Sequence, residues 1–300
     1  MRFGREQGLP RQLPRAERPM ATPQVITLLT DFGTTDAYVG IVKGILLARA
    51  PHARLVDLVH AAESGSLYAA AYLLAAAYAY FPPGTVHLVL TDPGSAPDRR
   101  IIAAAVEGQY VVAPDNGVAA PLLDEHPPTA LVAVQNAPFL LEARRHTFHS
   151  RFIYAPAAAA LATGVRLEEL GPTLSQWTQL PRALAAPEPD GSIAGEVVHI
   201  DRFGNLVTNI HGSQLPGHPR ITVGSTVIDR VSDTYGDVEV GGVLAIVGST
   251  GKLEISINRG SAAKKLFVSR TDPVRIDAGT ALECADVRAI RVEERLPKSE

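Results

Sequence analysis

Val89-Leu90-Thr91-Asp92-Pro93-Gly94-Ser95-Ala96-Pro97-Asp98-Arg99-Arg100-Ile101-Ile102 reads as the end of a strand, a turn and the start of a second apolar run. Asp92 stands where the strand stops, and Arg99 and Arg100 stand just before chain apolarity resumes. Ligands of open parallel sheets bind outside the carboxyl ends of the strands, so a carboxylate and a guanidinium delivered there are placed for chemistry. Taken alone, the same residues also make a surface turn closed by an Asp–Arg pair.

Outward from this stretch the pattern alternates. Val25 to Leu29 is a strand, and Thr30-Asp31-Phe32-Gly33 opens the loop beyond it. Tyr38, Val42, Ile45 and Leu46 then recur at helical spacing as far as Pro51. Leu55 to Val59 is the next strand. An alanine-rich helix with Tyr68, Tyr72 and Leu73 on one face follows, stopped by Phe81-Pro82-Pro83-Gly84. Past the opening stretch come the run Ile101 to Val106, the strand Tyr110 to Val112, the loop Ala113-Pro114-Asp115-Asn116-Gly117 and the strand Leu131 to Val134. Strands alternating with helices predict an α/β domain around a mostly parallel sheet. A small-residue helix over Ala157 to Ala162 leads into a proline-punctuated loop. From Ala194 short β-rich runs separated by Gly and Asp turns predict a smaller, mostly antiparallel, barrel-like β domain. The expected division is a disordered leader over 1–23, an α/β domain over 24–187 and a β domain over 193–297, with Met20 a second candidate start.

Composition narrows the function. Hydrophobic content of 46% with 20% charged residues describes a soluble chain that buries a real core. A net charge of -3 gives no electrostatic footprint for nucleic acid or an anionic membrane. The longest apolar stretch, Leu67 to Phe81, falls short of the ~20 residues of a membrane span. No signal-peptide pattern opens the chain, and its one cysteine, Cys284, excludes an internal disulfide framework and fits a reducing, cytoplasmic compartment. No Gly-rich phosphate loop is present, which argues against a dinucleotide or NTP site. His146 and His149 lack any recognised metal-ligand spacing, and Ser150 sits on no nucleophile elbow.

Seven motifs in unbroken order carry a resemblance. They are Thr30-Asp31-Phe32-Gly33 with Asp36, Tyr38-Val39-Gly40 and Lys43-Gly44; Asp92-Pro93-Gly94 with Arg99-Arg100; and Ala113-Pro114-Asp115-Asn116-Gly117. Thr147-Phe148-His149 with Arg151, Ala155-Pro156-Ala157-Ala158, Ile200-Asp201-Arg202-Phe203-Gly204-Asn205 and Thr208-Asn209-Ile210 complete the set. The chain resembles the adenosine-forming S-adenosyl-L-methionine (SAM) hydrolases, also called SAM hydroxide adenosyltransferases, relatives of fluorinase and chlorinase.

The resemblance implies homotrimers with the ligand held between one subunit's N-terminal domain and a neighbour's C-terminal domain, SAM as substrate and no cofactor or metal. It implies attack of a water on C5′, managed by Asp92, Arg99 and His149. It assigns Asp31 to the ribose hydroxyls, Asp201 to the methionine ammonium, and Ser249 and Thr250 to the methionine carboxylate. Phe203 and Asn205 fall in a matched binding motif, and Ser150, beside His149, is a further candidate for contact with the substrate. Asn116, Asn258 and Tyr235 are candidates for contacts to ribose, adenine or the ligand's faces. Read without the resemblance, Asp31 serves equally as a helix N-cap for the segment from Ala37, and Asp201 as a turn residue before Phe203-Gly204.

Four departures from the family pattern keep alternatives open. Phe152 stands where the hydrolase motif His-Gly-Arg-Asp has Asp, Ser150 is what fluorinase carries at that place, and Gly94-Ser95-Ala96 replaces Gly-Val-Gly. Gly65 also stands near the position of an adenine-stacking tryptophan in fluorinase. The competing expectations are a halide-dependent transferase forming a 5′-halo-adenosine and a catalytically weak SAM- or adenosine-binding protein.

Overall fold

The computed structural model describes residues 25–60, 66–93, 99–136, 138, 150–181 and 185–278. The expected leader, the Gly94-Ser95-Ala96 turn, Gly65, His146, His149 and Cys284 lie outside the described residues.

The N-terminal part is built on a six-stranded sheet. Its strands are β1 (Val25–Thr30), β2 (Arg54–Val59), β3 (Val86–Leu90), β4 (Ile101–Val106), β5 (Gln109–Pro114) and β6 (Ala130–Ala133), in the order β2-β1-β3-β5-β4-β6. β2, β1, β3 and β5 run parallel, whereas β4 runs antiparallel to both β5 and β6. Chain length explains the reversal. β4 and β5 are joined by Glu107-Gly108 alone, both at positive φ (42° and 82°), the geometry of a tight hairpin turn. Two residues cannot hold a crossover helix.

β3 and β5 are buried along their whole length, as strands covered on both faces must be. Alternate side chains point to opposite faces, and two apolar layers result. On one face Ile26, Leu28, Leu88 and Leu90 pack with α1 (Tyr38–Arg49) and α4 (Ala155–Ala162). On the other, Leu29, Val89 and Ile102 pack with α2 (Leu67–Tyr78) and α3 (Ala120–Glu125). Ser66 caps α2 by accepting from the Ala69 amide at 3.3 Å. α1 instead begins after Ala37 with no side-chain cap, so Asp31 does not cap this helix.

The C-terminal part is a nine-stranded, barrel-like sheet, mostly antiparallel, as the alternating β-rich runs predict. Its strands are β7 (Ala186–Pro187), β8 (Ile193–Ile200), β9 (Leu206–His211), β10 (Pro219–Val223), β11 (Thr226–Ile228), β12 (Val231–Ser232), β13 (Val243–Val247), β14 (Lys252–Ile257) and β15 (Pro273–Ala278), with one short helix, α5 (Ala262–Leu266). The order is β11-β10-β15-β8-β9-β14-β13-β12, with β7 beside β8. Val197, Leu206, Ile210, Ile221 and Ile255 fill its interior.

The two parts meet where Tyr72 of α2 stacks on His199 of β8, ring centres 5.1 Å apart. A cavity of about 390 Å³ opens beside this contact, lined by Tyr68, Tyr72, Val198, Thr208 and Lys252 among others. None of the candidate site residues lines it. Among the described residues no helix is long and apolar enough to cross a membrane.

Candidate active site

Strand register gathers the N-terminal candidates. Thr30 of β1 pairs with Leu90 of β3, and Leu88 of β3 pairs with Val112 of β5. Asp31, Asp92 and Asn116 therefore leave the sheet side by side, at the carboxyl edge of three adjacent parallel strands. This is the edge where ligands of such sheets bind. Gly33, at φ 69°, turns the chain after β1 so that its amide donates to the His60 carbonyl at 2.6 Å.

Asp92 and Arg99 form an ion pair, Nε to Oδ1 2.7 Å, with both side chains largely shielded. Asn116 is buried and braces the loop below them. Its Nδ2 donates to the Thr91 carbonyl at 3.0 Å and reaches Asp92 Oδ1 at 3.4 Å, while its Oδ1 accepts from the Val118 amide at 3.1 Å. Asn116 thus acts on Asp92 and the loop in this structure. The sequence shows two neighbouring arginines, and the structure separates them. Arg100 pairs with the buried Asp115 of the next strand end, Nε to Oδ2 2.6 Å, and Asp115 Oδ1 accepts from the Thr178 amide at 2.7 Å. The Arg100 carbonyl accepts from the Asp115 amide at 2.8 Å, which holds Arg100 against the end of β5 while Arg99 faces Asp92.

Ser150 and Phe152 belong to a five-residue π-helical turn, Ser150–Tyr154, which leads straight into α4. Tyr154 closes that turn. Burial raises its pKa, the Asp92 carboxylate raises it further, and Arg99 offsets part of the rise. The phenol thus lies in the field of both members of the pair.

The C-terminal candidates form a second group. Asp201, Phe203 and Asn205 make the turn between β8 and β9. Asp201 Oδ1 accepts from the amides of Phe203 and Asn205, both at 2.9 Å, and Oδ2 accepts from Asn205 Nδ2 at 2.9 Å. Gly204, at φ 86°, completes the turn where a Cβ would stand 2.0 Å from Ser261 Oγ, so only glycine fits. The turn role of Asp201 is real, and it occupies three of about four acceptor directions of the carboxylate. Phe203 is left exposed.

Ser249 and Thr250 sit in the turn between β13 and β14, which closes through the Gly251 amide donating to the Gly248 carbonyl at 2.9 Å. Beneath it lies Glu254, buried, accepting from Tyr235 Oη at 3.2 Å. Burial raises the Glu254 carboxyl's pKa; the Tyr235 bond counters this and the Asp201 charge adds to it. Asn258 stands apart, donating from Nδ2 to the Val238 carbonyl at 2.7 Å.

Sequence reasoning did not single out Tyr154 or Glu254. One signal was there for Glu254: an acid amid the alternation Lys252-Leu253-Glu254-Ile255 faces out of the barrel, next to a glycine turn. Tyr154 gives no signal beyond its place two residues from Phe152. Among the described residues no cluster of three or more His, Cys, Asp or Glu side chains is set to hold a metal ion.

Comparison with known proteins agrees across both parts of the chain. The SAM hydroxide adenosyltransferase N-terminal domain matches residues 26–171 and the C-terminal domain of the same family matches residues 195–275. A protein of Thermus thermophilus named (R)-S-adenosyl-L-methionine hydrolase is 40% identical over 270 residues, covering 84% of this chain and 98% of its own. Its counterpart in Salinispora tropica is 38% identical, covering 87% and 100%. A fluorinase of Actinopolyspora mzabensis is 30% identical, covering 84% and 96%. The crystal structure of an uncharacterized conserved protein from Thermotoga maritima superposes with a TM-score of 0.76 at 33% identity, covering 84% of this chain and 99% of the other.

Proposed function

The chain belongs to the SAM hydroxide adenosyltransferase family, and from that premise we propose that it hydrolyses S-adenosyl-L-methionine to adenosine and L-methionine. A water oxygen bonds to C5′ as the C5′–S bond breaks. The electron pair leaves on sulfur as a neutral thioether, and one proton is released. A sulfonium is already a good leaving group, so the protein's task is to align the water and make it nucleophilic.

The observation that carries this reading is the shielded Asp92–Arg99 pair at the carboxyl edge of the sheet. Asp92 takes the water proton and Arg99 stabilises the charge that develops on the oxygen. His149 is the third member assigned by the family pattern. Asp31, on the neighbouring strand end, takes the ribose hydroxyls. Asp201 has one acceptor direction left after its turn bonds, enough for one N–H of the methionine ammonium. Ser249 and Thr250 take the methionine carboxylate. Phe203 and Tyr235, both exposed, give apolar faces to the ligand, with Ser150, Asn205, Asn116 and Asn258 as flanking polar groups. No cofactor is needed for a displacement of this kind. In our reading the active form is a cytoplasmic homotrimer whose sites lie between subunits.

The test is direct. The protein is incubated with SAM, with and without chloride or fluoride, and the nucleosides are resolved. Adenosine in every arm is the expected result. A 5′-halo-adenosine moves the assignment to the halide-using transferases, which Ser150 favours and Asp92 and His149 oppose. Tight SAM binding with no turnover sinks both. Asp92→Asn is expected to lower kcat by about 10²-fold or more while SAM affinity by calorimetry stays close to that of the parent. Equal loss of affinity would make Asp92 a binding or structural group.

A further inference from the structure

Tyr154 carries a hydroxyl with no task in the reaction as described so far. It ends the π-helical turn Ser150–Tyr154, a backbone form that is rare and recurs at functional sites. The turn packs on β3, the strand that delivers Asp92. Ile153 joins Arg99 and Ile101 in lining a cavity of about 240 Å³. Tyr154 itself is 3% exposed, in the apolar cluster that holds Leu90 and Ile101, the residues on either side of the Asp92–Arg99 segment.

Buried phenols ordinarily spend their hydroxyl on a partner. Tyr78 does so, donating to the Val106 carbonyl at 2.6 Å. Among the described residues no hydrogen bond holds the Tyr154 hydroxyl, and the charges that act on it are those of Asp92 and Arg99. Burial keeps the phenol neutral through the physiological range, so its proton is always present to be donated.

We propose that Tyr154 is a further group of the water site, its hydroxyl donating to the oxygen of the water that Asp92 and Arg99 manage. The proposal rests on the hydrolytic reading of the same site. The geometry of attack gives it a purpose. With Arg99 held against Asp92 and acting on the oxygen through its charge, not through a hydrogen bond of its own, a water that gives one proton to Asp92 and accepts from the phenol has one lone pair occupied, which leaves the other free to point at C5′. As that lone pair forms the C–O bond, the water O–H bond breaks toward Asp92 and the C5′–S pair leaves on sulfur. Tyr154 keeps its own proton throughout, and its work is to hold direction.

Tyr154→Phe removes the hydroxyl and nothing else from a packed site. The expected result is a fall in kcat of about tenfold or more, KM within about twofold of the parent, and a thermal midpoint close to the parent's. Adenosine release from SAM gives both constants, and calorimetry gives the midpoint. An unchanged kcat overturns the proposal, as does a change confined to KM. A fall in kcat matched by a lowered midpoint makes Tyr154 a packing residue. If the parent protein forms no adenosine, the hydrolytic reading fails and this one with it. A parent that turns over alongside an equally fast variant sinks only the role of Tyr154.

Discussion

Glu254 is a carboxylate placed against ordinary practice. In β14 the alternation sends Leu253, Ile255 and Ile257 into the barrel and Lys252, Glu254 and Ser256 outward, where a glutamate normally meets water. Here the outward face is covered, and Glu254 is 8% exposed. Gly248 permits the approach: a Cβ there would stand 1.9 Å from Glu254 Oε1. Burial, with Asp201 nearby, raises the folded-state pKa above the unfolded one. As pH climbs past the unfolded value, the unfolded chain releases its proton first, so stability falls until the folded carboxyl also ionises. Glu254→Gln keeps an acceptor for Tyr235 and cannot ionise. It is expected to melt ~1–4 °C above the parent at pH 8 and level with it at pH 4, by calorimetry across that range. A gap that does not change with pH would show that the charge costs the fold nothing. The contrast with Asp92 shows what a sequence carries at this scale. Asp92, Asp31 and Asn116 are legible because strand periodicity marks where each strand stops. Glu254 and Tyr154 are not, because their burial comes from segments distant in sequence.

β3 is the central element, and beyond its backbone ladders one polar side chain ties it to both neighbours. His87, fully buried, lies 2.9 Å from Thr27 Oγ1 of β1 through Nδ1 and 2.9 Å from Gln109 Oε1 of β5 through Nε2. Burial pushes its pKa down to about 4. Below the unfolded value of about 6.5, the unfolded chain takes up a proton that the folded chain refuses, so acidification removes stability down to about pH 4. The full effect is about 3 kcal/mol. The expected outcome is that His87→Gln flattens the pH 4 to 6.5 limb of denaturant-measured stability, whatever it does to stability at pH 7. An identical slope in both proteins would place the acid sensitivity elsewhere. The apolar runs that became β1, β3 and β5 were legible because strands buried on both faces must be apolar throughout. The reversal at β4 was carried by Glu107-Gly108, a two-residue link that the alternating pattern of strands and helices obscures. The turn role of Asp201 was legible in Asp201-Arg202-Phe203-Gly204, but its place beside Glu254 required the barrel to close, and no local signal encodes that.

At the scale of the whole molecule, the candidate residues lie in two groups on one chain. Asp31, Asp92, Arg99 and Asn116 crowd the carboxyl edge of the N-terminal sheet, while Asp201, Tyr235, Glu254 and the Gly248–Gly251 turn crowd one end of the barrel. Within the chain the barrel is met by α2, through Tyr72 on His199, and α2 lies on a face of the sheet instead of at its carboxyl edge. The barrel also exposes Phe203 by 75% and Phe267 by 91%, apolar surface that a second copy of the chain would cover. The proposed trimer pairs the sheet edge of one copy with the barrel end of the next. Cyclic assembly of that kind has a consequence that neither sedimentation nor a single variant reveals. Asp92→Asn disables the sheet edge and Asp201→Asn disables the barrel end, so each variant alone should be nearly inactive. In trimers assembled from an equal mixture of the two, an intact sheet edge from one variant meets an intact barrel end from the other at about a quarter of the interfaces. Adenosine formation should return to about a quarter of the parent rate after co-expression. If every site were contained within one chain, each copy would still carry a defect, and the mixture would stay as inactive as its parts.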